Sequence, residues 1–138
     1  ALREALLQQL ARATRCIHQA GFFHHDLFWR NLLVTRASDG APRVWWIDCP
    51  RGGFDRWSPR RWRRRLRDLA ALDKVAVAVC TRAERMRFMR LYLGRARLDA
   101  PAKRLIRAVL RYRRRHWPEP SGGRTFKQPE RAGAQTRD

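Results

Sequence analysis

His24, Asp26, Leu27 and Asn31 stand in the order H-x-D-L-x-x-x-N, and further along the chain Asp48 closes the short apolar run Trp46-Ile47. On one tight loop that spacing gives a carboxylate able to accept a hydroxyl proton and a carboxamide able to hold a metal ion; a later aspartate at a strand end can complete the metal site. The chemistry such a set can do is phosphoryl transfer. Either aspartate taken singly is an ordinary solvated charge or helix cap, and it is the order and spacing together that favour function. Only 25 residues precede Asp26, and they contain neither a lysine nor a glycine-rich phosphate loop.

The elements that must position these groups are legible from periodicity. Leu2, Leu6, Leu10, Ala13 and Ile17 recur at helical spacing over residues 2–20, and Gly21 offers a stop. Phe22 and Phe23 supply an apolar anchor in front of the polar loop. Leu32 to Thr35 and Val44 to Ile47 read as two strands of a hairpin, turned through Ser38-Asp39-Gly40-Ala41-Pro42. Residues 49–57 carry two glycines and a proline without periodicity, which predicts a loop. Ser58 as cap with Pro59 at the first helical position opens a helix through Trp62, Leu66, Leu69 and Leu72 toward Val79. Thr81 and Glu84 form a capping-box pattern for a helix with Phe88, Met89, Tyr92 and Leu93 on its apolar face, ending near Gly94. Asp99 caps a last helix through Ile106, Val109 and Leu110 to about Trp117. From Pro118 onward Pro, Gly, Gln, Ser and charge predict a disordered basic tail. The fold class is therefore α+β, mainly helical, with residues 1–117 as one folded unit and 118–138 as its tail.

With 138 residues and 44% apolar composition the chain can bury a core of its own. No stretch approaches the roughly 20 uninterrupted apolar residues of a membrane-spanning helix. Cys16, Cys49 and Cys80 are odd in number and far apart, as expected of reduced structural thiols. His24 and His25 are adjacent while His18 and His116 stand alone, so the histidines give no zinc pattern. The net charge of +20 is carried almost wholly by arginine, with Lys74, Lys103 and Lys127 the lysines. Nucleic-acid phosphates, an anionic membrane leaflet and a phosphorylated or carboxylated substrate are the partners such a charge attracts, although genome composition alone also enriches arginine.

Helix, loop, hairpin, strand-end aspartate, basic loop and helices resemble, in that order, the C-terminal lobe of the protein-kinase-like fold. More narrowly, the chain resembles the lipopolysaccharide kinase (Kdo/WaaP) family, in which H-x-D-L-x-x-x-N is followed by an I-D strand end, a short basic loop and a helix bearing D-L-A-x-L, here Asp68-Leu69-Ala70-Ala71-Leu72. The resemblance covers roughly residues 2–95. It implies that Asp26 is the catalytic base, that Asn31 and Asp48 bind Mg2+ beside the phosphates of ATP, and that the hairpin carries the metal-binding Asp48. His24 is implied as a packing residue of the loop. Asp68 is either a support that takes hydrogen bonds from the loop backbone or a helix charge paired with Arg64 or Arg65.

Departures from the wider kinase pattern carry information. Asp48-Cys49-Pro50 replaces D-F-G, and His25 replaces the arginine that reads a phosphorylated loop, so loop-switched regulation is not expected. The N-terminal lobe is not found, and Glu4 stands too early to serve as its glutamate. The chain is accordingly expected to be the C-lobe of a longer kinase or a truncated relic, binding ATP weakly by itself. The resemblance further implies an acceptor on lipid A, a Kdo or heptose hydroxyl, met at the cytoplasmic face of the bacterial inner membrane. Arg51, Arg60, Arg61, Arg63 and Arg64 are the residues expected to hold that substrate or the anionic membrane surface, with Trp57 and Trp62 either interfacial or core. Two readings from other classes remain: an inactive kinase-like scaffold, and a basic module binding single-stranded nucleic acid through interleaved Arg and Trp, for which no specific nucleic acid is expected.

Overall fold

The computed structural model describes residues 2–118; the predicted tail lies outside the described residues apart from Pro118. Four helices and two small antiparallel sheets make an α+β, mostly helical architecture. Helix α1 spans Leu2–Gln19 and ends where Gly21 takes φ 81°, a left-handed value suited to glycine. Strand β1, Phe22–Phe23, follows, then the catalytic-type loop and a 3-10 turn at Trp29–Asn31. Strands β2, Leu32–Arg36, and β3, Pro42–Trp46, form the predicted hairpin in the register Leu32 to Trp46 through Arg36 to Pro42. Its turn is held by Ala41 N–H donating to Asp39 Oδ1, with Gly40 at φ 77°.

The segment expected to be a plain loop contains strand β4, Gly53–Phe54, which pairs with β1. That pairing, continued by Asp55 N–H to Gly21 O, straps the chain back over the start of the His24–Asn31 loop. Helix α2, Arg61–Val79, begins later than Ser58-Pro59 suggested, and its cap residue is Arg60 without a side-chain cap bond. Ser58 is engaged differently: its N–H donates to Asp55 Oδ1 and its hydroxyl accepts from Arg60 N–H. The turn motif competes for the cap serine and delays the helix by a few residues.

Helix α3, Arg82–Leu93, has the full capping box, Thr81 Oγ1 accepting from Glu84 N–H and Glu84 accepting from Thr81 N–H, and closes on Gly94 at φ 64°. Helix α4, Ala100–His116, is capped by Asp99, whose carboxylate accepts from Ala102 N–H. The core gathers Ala11, Leu66, Leu69, Ala70, Met89, Tyr92, Leu105 and Val109 from all four helices. The deep stripe of α1 is Ala11, Thr14 and His18, rotated from the predicted Leu-rich stripe. Leu2 is exposed, and the rest of that stripe is half-buried on the side where Gln9 bonds Val44 N–H and Pro42 O of β3. Trp62 is 47% exposed and Trp57 93% exposed, so neither is core. Among the described residues no helix is long and apolar enough to cross a membrane.

The capping box gives a pH test. Arg3 donates a hydrogen bond to Glu84, and together with the Thr81 N–H it holds the Glu84 carboxyl at about 2, below its ordinary 4.5. A depressed carboxyl contributes its tie fully above the ordinary value and loses it as pH falls through the folded value. The carboxyl carbon of Glu84, followed by NMR, titrates with a midpoint near 2, and in Arg3→Ala the midpoint rises toward the ordinary value. A wild-type midpoint near 4.5 would remove the Arg3 tie.

Candidate active site

Three contacts hang the loop from α2. Asp68 lies wholly buried at 0% exposure and its two oxygens accept the backbone N–H groups of His24 and His25, each at 2.8 Å. Arg67 Nε donates to His25 O at 2.7 Å, and Trp29 Nε1 donates to Leu72 O at 2.8 Å. Asp68 pairs with neither neighbouring arginine: Arg64 faces Asp55 at 3.2 Å and Arg65 bonds the Tyr92 hydroxyl. Held this way, His25 adopts φ 66°, a left-handed value uncommon outside glycine that the surrounding bonds impose. Burial lowers the His25 imidazole pKa, and the nearby Arg64, Arg67 and Arg51 add to the shift, so at neutral pH it is uncharged.

The loop then turns Asp26 outward, half-buried. Arg30 Nη2 reaches both of its carboxylate oxygens at 3.1 Å, and Asn31 Nδ2 donates to Asp26 Oδ2 at 3.0 Å and to Asp26 O at 2.8 Å. Asn31 is buried and oriented by these bonds, which leave its Oδ1 without a protein donor. Across the hairpin mouth Ile47 N–H donates to Asn31 O at 3.0 Å, which sets Asp48 just beyond a position tied to Asn31. Asp48 lies past the end of β3 rather than on it, exposed, with φ 56°. Among the described residues it is the acidic side chain with neither an ion pair nor a hydrogen bond. Cys49 follows it with its thiol donating to His24 O at 3.5 Å, and desolvation raises the thiol pKa, which keeps it protonated for that contact. Cys16 and Cys49 are exposed and Cys80 half-exposed, all free, rather than packed core thiols. His24 is buried as a packing residue would be, against Trp46 at 6.5 Å between ring centroids.

Asp26 opens on a cleft of about 540 Å3 whose walls include Arg30, Arg51, Arg67, Lys74 and Trp117. Of the five arginines expected to meet substrate, Arg51 alone lines it. Arg61 turns inward, donating to Arg56 O and His18 O, and Arg64 is tied to Asp55, while Arg60 and Arg63 stand exposed at the start of α2. Lys74, without an acidic partner among the described residues, lies over the rings of Phe28 and Trp117 at 5.3 and 5.8 Å. Arg30 and Arg67 carry a local signal, one four residues after Asp26 and the other beside Asp68. Lys74 and Trp117 carry none, since α2 and α4 bring them in from afar. His18, expected to stand alone, is buried with Nε2 3.2 Å from Asp68 Oδ2 and Nδ1 2.8 Å from Tyr92 Oη.

Lipopolysaccharide core heptose(I) kinase WaaP of Pseudomonas aeruginosa is 34% identical over 100 residues, covering 68% of this chain and 36% of that protein. A solved structure described as WaaP in complex with acyl carrier protein superposes with a TM-score of 0.63 at 30% identity, over 83% of this chain and 47% of that one. The chain thus spans less than half the length of either relative. The model of the lipopolysaccharide kinase (Kdo/WaaP) family matches residues 1–92, the stretch that holds the loop, Asp48 and Asp68. With that match over more than half of its length, the chain belongs to the lipopolysaccharide kinase (Kdo/WaaP) family.

Proposed function

We propose that this chain carries the catalytic loop and metal site of an ATP- and Mg2+-dependent kinase acting on a sugar hydroxyl of inner-core lipopolysaccharide, a Kdo or heptose on lipid A. The observation that carries the reading is Asp26, aligned by Arg30 and Asn31 and facing a cationic cleft. A sugar hydroxyl entering that cleft meets a carboxylate that accepts its proton as the phosphoryl group arrives, while Arg51, Arg67 and Lys74 attract an acidic or phosphorylated acceptor. Arg60 and Arg63, exposed and without acidic partners among the described residues, would meet the anionic headgroups of the inner membrane's cytoplasmic face. Leu33 and Trp45, paired across the hairpin, and Ile47, the chain neighbour of Asp48, are exposed apolar side chains that offer a floor for a purine.

Asn31 and Asp48 suit Mg2+, because a free amide oxygen and an unpaired carboxylate are hard oxygen donors. Among the described residues no three His, Cys, Asp or Glu gather to hold a metal unaided, and Mg2+ ordinarily takes one or two protein oxygens with the rest from phosphates and water. Bound there, the ion would neutralise phosphate charge. Mg·ATP titrated calorimetrically into the chain at moderate salt gives magnesium-dependent heat, and Asp48→Ala weakens binding by about tenfold or more, ~1.4 kcal/mol. Equal binding by both proteins, or none by either, would sink the metal assignment.

A further inference from the structure

Behind the catalytic loop, where Phe23 forms part of its wall, the four helices line a second cavity of about 610 Å3 that shares no lining residue with the Asp26 cleft. Five arginines line it, Arg15, Arg61, Arg65, Arg95 and Arg104. Among the described residues Asp99 pairs with Arg95, and the Asp68 carboxylate lies buried behind His18. Among the described residues Arg15 and Arg104 have no hydrogen-bonding or acidic partner, and Arg65 uses only its Nε, leaving both terminal amino groups open. A concave site with that charge imbalance concentrates anions, and guanidinium forks match the oxygens of phosphate.

What distinguishes this cavity from the rest of a basic surface is its floor. Tyr92 and His18 line it and are themselves buried, at 3% and 5% exposure. Arg65 Nε donates to Tyr92 Oη at 2.6 Å, so the tyrosine proton is directed to His18 Nδ1, 2.8 Å away. With Nδ1 an acceptor, the imidazole proton sits on Nε2 and is donated to Asp68 Oδ2 at 3.2 Å. Asp68 in turn accepts from His24 and His25 N–H. Four side chains from α1, α2 and α3 thus form one chain of hydrogen bonds donated in turn toward Asp68, the acceptor that also holds the two loop N–H groups. Burial raises the Tyr92 pKa, which keeps the hydroxyl in its donor form.

We propose that this cavity binds a phosphate-class anion, a phosphomonoester or diphosphate group, and that its occupancy steadies the catalytic loop through Arg65, Tyr92, His18 and Asp68. An anion on the free amino groups of Arg65, shared with Arg104 and Arg15, fixes the guanidinium and with it the direction of the Tyr92 proton. Loop order set in this way does not depend on whether the loop transfers phosphate.

Inorganic pyrophosphate titrated into the 138-residue chain in magnesium-free buffer tests it, with amide hydrogen exchange at His24 and His25 as second readout. Pyrophosphate binds, Arg15→Ala/Arg104→Ala weakens it about tenfold or more, and saturation slows exchange at both amides several-fold. Tyr92→Phe retains the binding and loses the slowing. Vesicles of phosphatidylcholine with and without phosphatidic acid separate the sources: protection by the acidic vesicles but not by pyrophosphate assigns the site to a lipid headgroup. No effect of either ligand overturns the site. Equal weakening by Arg36→Ala/Arg43→Ala, two exposed hairpin arginines outside the cavity, reduces it to general attraction and overturns it likewise. Binding that leaves exchange at His24 and His25 unchanged overturns the coupling.

Discussion

Asp26→Asn lowers the rate of phosphoryl transfer by about 10²–10⁴-fold while leaving Mg·ATP affinity within a few-fold of wild type. The substitution preserves volume and removes the proton acceptor. It also places an amide where Arg30 and Asn31 both point donors, since Arg30 Nη2 lies 3.1 Å from each oxygen and Asn31 Nδ2 3.0 Å from Oδ2. One oxygen can still receive them, so the side chain keeps its place and the loss is chemical rather than structural. The separation from the metal site makes the result diagnostic: Asp48→Ala acts on nucleotide affinity, and Asp26→Asn on turnover at saturating nucleotide. Single-turnover transfer from labelled ATP to a Kdo–lipid A acceptor measures it. A rate unchanged by Asp26→Asn would deny Asp26 the role of base, and a parallel fall in nucleotide affinity would make it part of the metal site instead.

The loop that joins Asp26 to Asn31 was readable because both lie within one short span, so the contact between them is written at fixed local spacing in His24, Asp26 and Asn31. The capping box at Thr81 and the glycine at position 94 were readable for the same reason, each being satisfied within one turn of backbone. What sequence could not show are contacts closed by the fold. His18 looks solitary until α1 lays it against Asp68, fifty positions on, and Tyr92, seventy-four on. Ser58-Pro59 misleads because Asp55 binds the Ser58 N–H and keeps the segment in a turn. The arginine run from Arg60 to Arg65 reads as one basic patch, yet helical geometry divides it. Arg61 and Arg65 face the rear cavity and Arg64 closes on Asp55, which leaves the Asp26 cleft to Arg67 and Lys74 one and three turns further along α2.

The larger effect on stability belongs to Asp68→Ala. Removing the carboxylate strands three donors at once, the N–H groups of His24 and His25 and Nε2 of His18, in a site with no solvent to replace it. A buried group stripped of its partner costs about 1–3 kcal/mol, and breaking a buried charged network about 3–5 kcal/mol. Domains of ordinary stability hold only about 5–15 kcal/mol in total. Urea denaturation of Asp68→Ala therefore shows a midpoint far below wild type with a similar slope, or a chain already unfolded in water. Asp68→Asn falls between, because its amide oxygen still accepts one loop N–H while its NH2 confronts the other donor. Were Asp68 an ordinary helix charge balanced by surface arginines, either substitution would cost under about 1 kcal/mol. The ordering of Ala below Asn below wild type separates the two, because only a carboxylate shared by the loop and His18 loses its acceptors in steps. The loop conformation follows the same order, since Asp68 grips the N–H groups of His24 and His25 and so helps hold His25 at φ 66°.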